Sequence, residues 1–195
     1  GSACDDGHAC TLDSCAAAGC VNVPVASPGC FKAHHGNNLV AFHTLPDEAS
    51  IPLVFGDYEA HVISLWSEGV ATRRLSTGQW VGNMPSLERQ RGYWMVMDLP
   101  SELFYNPPGK PAEWAFHLTG SPTAPDLRYQ LHAGNNMISF SAGDATALPE
   151  AMGEQESLFE SVFGEGIAAS MDVDGSWIGS LTHFMPNRGY EASLL

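Results

Sequence analysis

Two glutamates, Glu68 and Glu165, are the strongest candidates in the sequence for acid–base catalysis. They occupy matching places in "EGVA" (68–71) and "EGIA" (165–168). If a duplicated fold brings such carboxylates together, one of them retains its proton, as the acid pair of a hydrolase requires. Arg91 and Arg188 recur with them. We therefore expect the more ordinary outcome, a structural ion pair within each copy between Glu68 and Arg91 and between Glu165 and Arg188.

The similarity between the two glutamate stretches extends over most of the chain. The matched stretches lie 98 positions apart at first and 97 afterwards: "GNN" at 36–38 and 134–136, "GxW(V/I)G" at 78–82 and 175–179, and "RGY" at 91–93 and 188–190. Residues 34–97 and 132–195 are thus two copies of one unit. A unit that recurs in tandem commonly buries its apolar face against its copy.

Each copy has the patterns of short strands. Residues 38–45 and 136–142 alternate in polarity, and the side chains expected to point inward are Val40, Phe42, Ile138 and Phe140. Second strands are predicted at 61–69 and 158–166, and short helices that begin at a proline at 50–58 and 147–155.

The predicted architecture is all-β, with two tandem pseudo-symmetric repeats that form a small barrel or sandwich with short helices. We place a Cys-rich segment at 1–30, the first repeat at 34–111, and a connecting strand with the second repeat at 112–195. The connecting strand corresponds to "AEWAFHLTGSP" at 112–122.

All five cysteines fall within the first thirty residues. Such a short segment cannot order itself by burial alone and needs disulfides or a metal. Spacings of five, four, four and nine residues fit zinc knuckles poorly, so disulfides are favoured. We expect Cys4, Cys10, Cys15 and Cys20 to form them, with open connectivity, and Cys30 to be the thiol left over, available to pair with sequence outside this chain.

The stretch "CDDGHACTLDSC" at 4–15 resembles the slime-mould (CTDC) cysteine-rich repeat, with His8 in place of asparagine. The resemblance, over residues 4–20, implies a secreted or surface protein. Asp5, Asp6 and Asp13 beside the turn residue Gly7 also provide hard oxygen ligands for a calcium ion. The alternative is that these aspartates only cap turns.

The two repeats are similar to a secreted bacterial surface repeat that begins "GWNLI" and ends "WIGxL…MxPxxGY". The second copy carries "GNNMISF" at 134–140 and "WIGSLTHFMPNRGY" at 177–190. Asn37 and Asn135 stand where that repeat has tryptophan. The resemblance implies an extracellular accessory module, and it places no catalytic residue on this chain.

Charge and motifs exclude several classes of function. The 195 residues carry 22 acidic and 8 basic side chains, a formal net charge of −14, which disfavours nucleic acid as a partner. No apolar run is long enough for membrane insertion as a helix. Nucleophile elbows, Walker loops and dinucleotide-binding glycine patterns are absent from the sequence.

Two further motifs have a structural explanation as well as a functional one. Of the eight histidines only His34 and His132 correspond between copies, so a symmetric metal site is limited to them. Asp172, Asp174 and Gly175 could line a calcium loop. The other copy has no matching acids, and Asp-Gly is a strong signal for a tight turn, so we expect a turn.

Tryptophans are the best candidates for binding. Trp80 and Trp177 recur and are expected to belong to the core, whereas Trp94 and Trp114 have no counterparts and are expected to be exposed binding residues.

The sequence therefore predicts a non-catalytic extracellular or cell-surface module for adhesion, display or assembly into a polymer. Its expected partners are other protein copies or surface glycans, and its only expected cofactor is calcium. The alternatives are a carbohydrate-binding module attached to a secreted enzyme and, third, an acid-pair hydrolase.

Overall fold

A computed structural model of the chain describes residues 10–16, 19–24, 29–99 and 114–195. The strands up to the end of the first repeat are β1 (Thr11–Ala16), β2 (Gly19–Pro24), β3 (Cys30–Ala33), β4 (Gly36–Val40), β5 (Thr44–Leu45), β6 (Val62–Ser67), β7 (Val70–Arg74), β8 (Trp80–Gly82) and β9 (Tyr93–Met97). The later strands are β10 (Trp114–His117), β11 (Ser121–Pro122), β12 (Gly134–Ile138), β13 (Thr146–Ala147), β14 (Phe159–Gly164), β15 (Ile167–Met171), β16 (Trp177–Gly179), β17 (His183–Phe184) and β18 (Tyr190–Leu194). Each repeat also has one short α-helix, α1 (Ile51–Phe55) or α2 (Leu148–Met152), continued by a 3₁₀ turn, Gly56–His61 or Gly153–Leu158.

Two five-stranded antiparallel sheets of identical topology form the body of the protein. Their strand orders are β4-β9-β6-β7-β8 and β12-β18-β14-β15-β16. The correspondence includes an irregularity of register, which falls at residues 62–64 in one copy and 159–161 in the other. The predicted all-β fold and the duplication are both confirmed.

Each sheet packs its inner face into a separate hydrophobic core. Val40 and Phe42 belong to the first core, Ile138 belongs to the second, and Phe140 packs against the second while partly buried. These four side chains therefore point inward as the alternation predicted. Both helices carry proline in the first turn, where its missing N–H leaves no hydrogen bond unmade.

The N-terminal segment is tied to the first repeat. Strand β3 pairs with β10, and the ring of Phe31 stacks on that of Phe42 with centroids 5.3 Å apart. A disulfide joins Cys10 to Cys30. The expectation that Cys30 is the thiol left over was wrong, because the fold returns β3 to within 5.4 Å, Cα to Cα, of Cys10.

The other cysteine predictions remain open. Cys20 is disulfide-bonded. Cys4 lies outside the described residues, as does the side chain of Cys15. In the part of the chain that the structure describes, no helix is both long and apolar enough to cross a bilayer.

The two repeats meet through a reciprocal backbone contact. Val40 bridges Arg188, and the equivalent residues Ile138 and Arg91 bridge in the same way. Four hydrogen bonds close this contact, two from each side: Gly189 N to Leu39 O (3.2 Å), Gly92 N to Met137 O (3.2 Å), Ala41 N to Asn187 O (3.2 Å) and Ser139 N to Gln90 O (3.0 Å). The repeats are therefore related by a pseudo-twofold axis.

The glycines of the two Arg-Gly-Tyr motifs make this approach possible. A Cβ on Gly92 would lie 2.6 Å from the carbonyl oxygen of Ile138, and one on Gly189 would lie 2.5 Å from that of Val40. Both clashes involve backbone of the opposite repeat, which cannot move aside as a flexible side chain can. Glycine recurs here because no side chain fits between the repeats.

We expect Gly92→Ala to lower the free energy of unfolding by about 2 kcal/mol or more, since the added methyl forces the repeats apart. Urea denaturation followed by circular dichroism measures this change. Asn135→Ala, at an exposed position of β12, is the control and should leave the midpoint unchanged. An unaltered midpoint for Gly92→Ala would contradict the close approach.

Candidate functional site

The recurring glutamates lie at the tips of two equivalent hairpins. Glu68-Gly69 joins β6 to β7, and Glu165-Gly166 joins β14 to β15. Both glycines have positive φ, 71° and 70°, a backbone conformation that glycine adopts without the steric cost of a side chain. Each tip thus holds its carboxylate at the end of a short, rigid arm.

Each carboxylate reaches a histidine of the opposite repeat. Glu68 Oε1 lies 2.6 Å from His132 Nε2, and Glu165 Oε1 contacts His34 Nε2 in the equivalent way. Glu165 also accepts a hydrogen bond from the backbone N–H of Leu39 through Oε2 (3.0 Å). Each repeat therefore contributes one recurring glutamate and one recurring histidine to two equivalent pairs across the pseudo-twofold axis.

The second asparagine of each Gly-Asn-Asn motif positions the histidine. Asn38 accepts a hydrogen bond from His34 N and donates to His34 O, both at 2.8 Å. Asn136 brackets His132 in the same way, at 2.9 and 2.8 Å. Both asparagines are buried, so the recurring motif orders the backbone that carries the imidazole.

The surroundings of each imidazole favour a proton on Nδ1. Nδ1 of His34 faces the carbonyl of His35, and Nδ1 of His132 faces that of Ala133, each at 2.8 Å. A carbonyl only accepts, so Nδ1 must donate its proton, and Nε2 then faces the glutamate carboxyl group. The backbone carbonyl of Ala133 and the carboxylate of Glu68 raise the pKa of His132. The protonated form of His132 is therefore favoured.

The expected pairs between glutamate and arginine were wrong in their partners. Arg91 donates instead to the Glu88 carboxylate (3.0 Å) and to the backbone carbonyl of Glu68 (3.1 Å). Arg188 enters the contact between repeats through its backbone bridge to Val40. The physical reason is the hairpin tip, which directs its carboxylate outward to the other repeat and leaves only the carbonyl of Glu68 for its own arginine.

A second recurring pair holds the tryptophans that were expected in the core. Trp80 Nε1 donates to Glu59 (2.6 Å), and Trp177 Nε1 donates to Glu156 (2.9 Å). Each ring is partly buried and packs against the core of its own repeat. The prediction of a core role is confirmed for both.

Trp94 lies on the outer face of the first sheet, but it is partly buried rather than exposed as expected, because it forms an aromatic pair. Its ring stacks on that of Trp66, with centroids 6.2 Å apart and planes 20° from parallel. Trp66 was overlooked as a site residue, although strand alternation places it on the face opposite the buried Leu65. The side chain of Trp114 lies outside the described part of the chain.

The other candidate ligands are untested or structural. Asp5 and Asp6 lie outside the described residues, and so does the side chain of Asp13. Asp172 accepts a hydrogen bond from Gly175 N through its backbone, which confirms a turn there. Within residues 10–16, 19–24, 29–99 and 114–195, no cluster of three or more His, Cys, Asp or Glu could hold a metal ion.

Stability should depend on pH through His132. Its pKa is raised in the folded protein, so the stabilisation is fully present below the ordinary value of 6.5 and is lost as the pH rises through the raised value. We expect the difference in thermal midpoint between the wild type and His132→Asn to shrink as the pH rises above 6.5. Thermal scans by circular dichroism measure it, with His183→Gln as the control. A constant difference would show that the pair carries no charge.

The pair between Glu165 and His34 should couple in a double-mutant cycle. Glu165→Gln is expected to cost about 1–2 kcal/mol in the free energy of unfolding, and its coupling with His34→Gln to be about 1 kcal/mol. Glu160→Gln on β14, whose carboxylate accepts a hydrogen bond from Ser193 alone among the described residues, should stay within about 0.5 kcal/mol of the wild type. Strictly additive effects of the two substitutions would show that the contact contributes nothing.

Comparisons with models of known protein families, with curated proteins and with solved structures found no match to this chain. Its own geometry is therefore the basis for a functional proposal.

Proposed function

We propose that the chain is a non-catalytic extracellular module that presents a surface for adhesion. The observation that carries the proposal is that Glu68 pairs with His132 and Glu165 pairs with His34, each across the contact between the repeats. These are the recurring groups best suited to acid–base chemistry, and they bind the repeats to each other.

The two glutamates also lack the arrangement that an acid-pair hydrolase needs. Such a hydrolase needs two carboxylates that flank one substrate bond, with environments that separate their pKa values. Glu68 and Glu165 instead occupy equivalent environments, each opposite its own imidazole. Each carboxylate is already engaged by an imidazole of the opposite repeat rather than by its twin carboxylate.

The disulfide between Cys10 and Cys30 supports an extracellular location. Stable disulfides form in oxidising compartments, and a short cysteine-rich segment is typical of secreted proteins. The net charge of −14 adds solubility and long-range repulsion between copies. Display as a single rigid unit is therefore favoured over spontaneous polymer assembly.

The proposal is tested by assaying the full-length chain for hydrolysis of chromogenic glycosides and of fluorescently labelled casein. We expect no turnover by the wild type, and a lowered thermal midpoint in the Glu68→Gln, Glu165→Gln double variant. Glu160→Gln is the matched control. Turnover that is lost in either interface variant and kept in the control would overturn the proposal.

A further inference from the structure

We propose that the outer face of the first sheet binds a neutral polysaccharide, with Trp66 as the platform on which a sugar ring stacks. This inference rests on the proposed function and names the partner of the adhesive surface. It is carried by the arrangement of side chains on β4, β9, β6 and β7.

One row of side chains crosses this face from strand to strand. Leu39, Trp94, Trp66 and Ala71 are successive cross-strand partners. Trp94 lies between the buried Leu39 and the ring of Trp66, so it braces Trp66 from one side. The neighbour on the other side, Ala71, is exposed and offers only a methyl group. Beside Trp66 the row is therefore open to a flat ligand.

The next row supplies hydrogen-bond donors. Ser64 and Arg73 are cross-strand partners one step along β6 and β7. Arg73 is exposed, and its guanidinium makes no ion pair or hydrogen bond within the part of the chain that the structure describes. Five N–H groups are thus available beside the aromatic pair, in a geometry that suits vicinal hydroxyls.

A sugar ring matches these rows chemically. Its axial C–H groups carry partial positive charge and pack on the negative face of an indole, while its equatorial hydroxyls project sideways toward donors. The stack on Trp94 already limits the motion of Trp66, so little conformational entropy remains to be lost on binding.

The second copy acts as an internal control. Phe163, Glu191 and Ser170 occupy the places of Trp66, Trp94 and Arg73, and the second sheet has the same topology. The repeat therefore folds without the tryptophan pair and without the arginine. Residues that one copy alone carries on an outer face are available for a function that the fold does not need.

Charge and size select the ligand. A net charge of −14 repels polyanions, which favours a neutral glycan over an acidic one. Stable protein partners cover about 800 Å² on each side, with a broad apolar centre. The exposed part of the Trp66 ring, 36% of the residue, is a narrow strip between Ala71 and the row of Ser64 and Arg73, and it suits an extended chain of sugars.

The test is affinity electrophoresis and depletion of the full-length chain on cellulose, chitin, xylan, mannan and β-1,3-glucan, with alginate and polygalacturonate as acidic comparisons. We expect binding to at least one neutral polysaccharide and a loss of roughly tenfold or more in affinity for Trp66→Ala. Arg73→Ala, at an exposed position, should weaken binding about threefold to tenfold. Phe163→Ala, the matched position in the second copy, should leave it unchanged.

Several outcomes would overturn the inference: no neutral polysaccharide bound, binding to acidic polysaccharides alone, or equal losses for Trp66→Ala and Phe163→Ala. A dimer that disappears in Trp66→Ala would show that a second copy covers the face. Circular dichroism checks folding, and if Trp66→Ala unfolds, unchanged affinity of Arg73→Ala counts against the site. Hydrolysis of the bound polysaccharide would instead contradict the non-catalytic proposal, so the two failures are distinguishable.

Discussion

The backbone contact at Gly92 and Gly189 is the constraint on which the rest of the structure depends. At that point each repeat lies so close to the other that the backbone of one occupies the space of a side chain on the other. The proximity permits reciprocal hydrogen bonds between main chains, and these set the relative orientation of the two sheets. Once that orientation is set, the hairpin tip of each repeat lies over the first strand of its twin. The contacts of Glu68 and Glu165 with the imidazoles of the opposite repeat are a consequence of this placement.

Recurrence and divergence between the copies separate structure from function in this protein. The groups that recur have structural partners: a carboxylate binds an imidazole, an indole N–H binds a carboxylate, and an asparagine brackets a backbone turn. Each satisfies a polar group that would otherwise be left unpaired where the chain turns or the repeats meet. The outer face of the first sheet is different, because Phe163 and Glu191 replace Trp66 and Trp94 in the second repeat, which folds without the tryptophan stack. Adhesion through that face is consistent with a scaffold whose ionisable residues are already engaged.

Local patterns predicted local structure well. The inward positions of Val40 and Ile138 follow from alternation along a strand, and the helices follow from proline in a first turn, since both signals depend only on near neighbours. Partners distant in sequence were predicted less well. Glu68 was assigned to the arginine 23 positions away within its own copy, whereas its partner is His132 in the other copy. Two identical units offer two equally good sets of partners, and periodicity does not distinguish them.

The sequence by itself determined that the chain is a duplicated β-rich protein, which face of its strands is buried and which residues both copies need, because repetition and alternation are properties of the linear order. Three contacts were decided by the tertiary structure alone. The carboxylate of each copy pairs with a histidine of the other, Cys30 forms a disulfide with Cys10, and the rings of Trp66 and Trp94 stack. These outcomes depend on strand register and on the orientation of one repeat against the other. Both are set by packing and backbone hydrogen bonds between segments far apart in the chain, which short-range patterns do not encode.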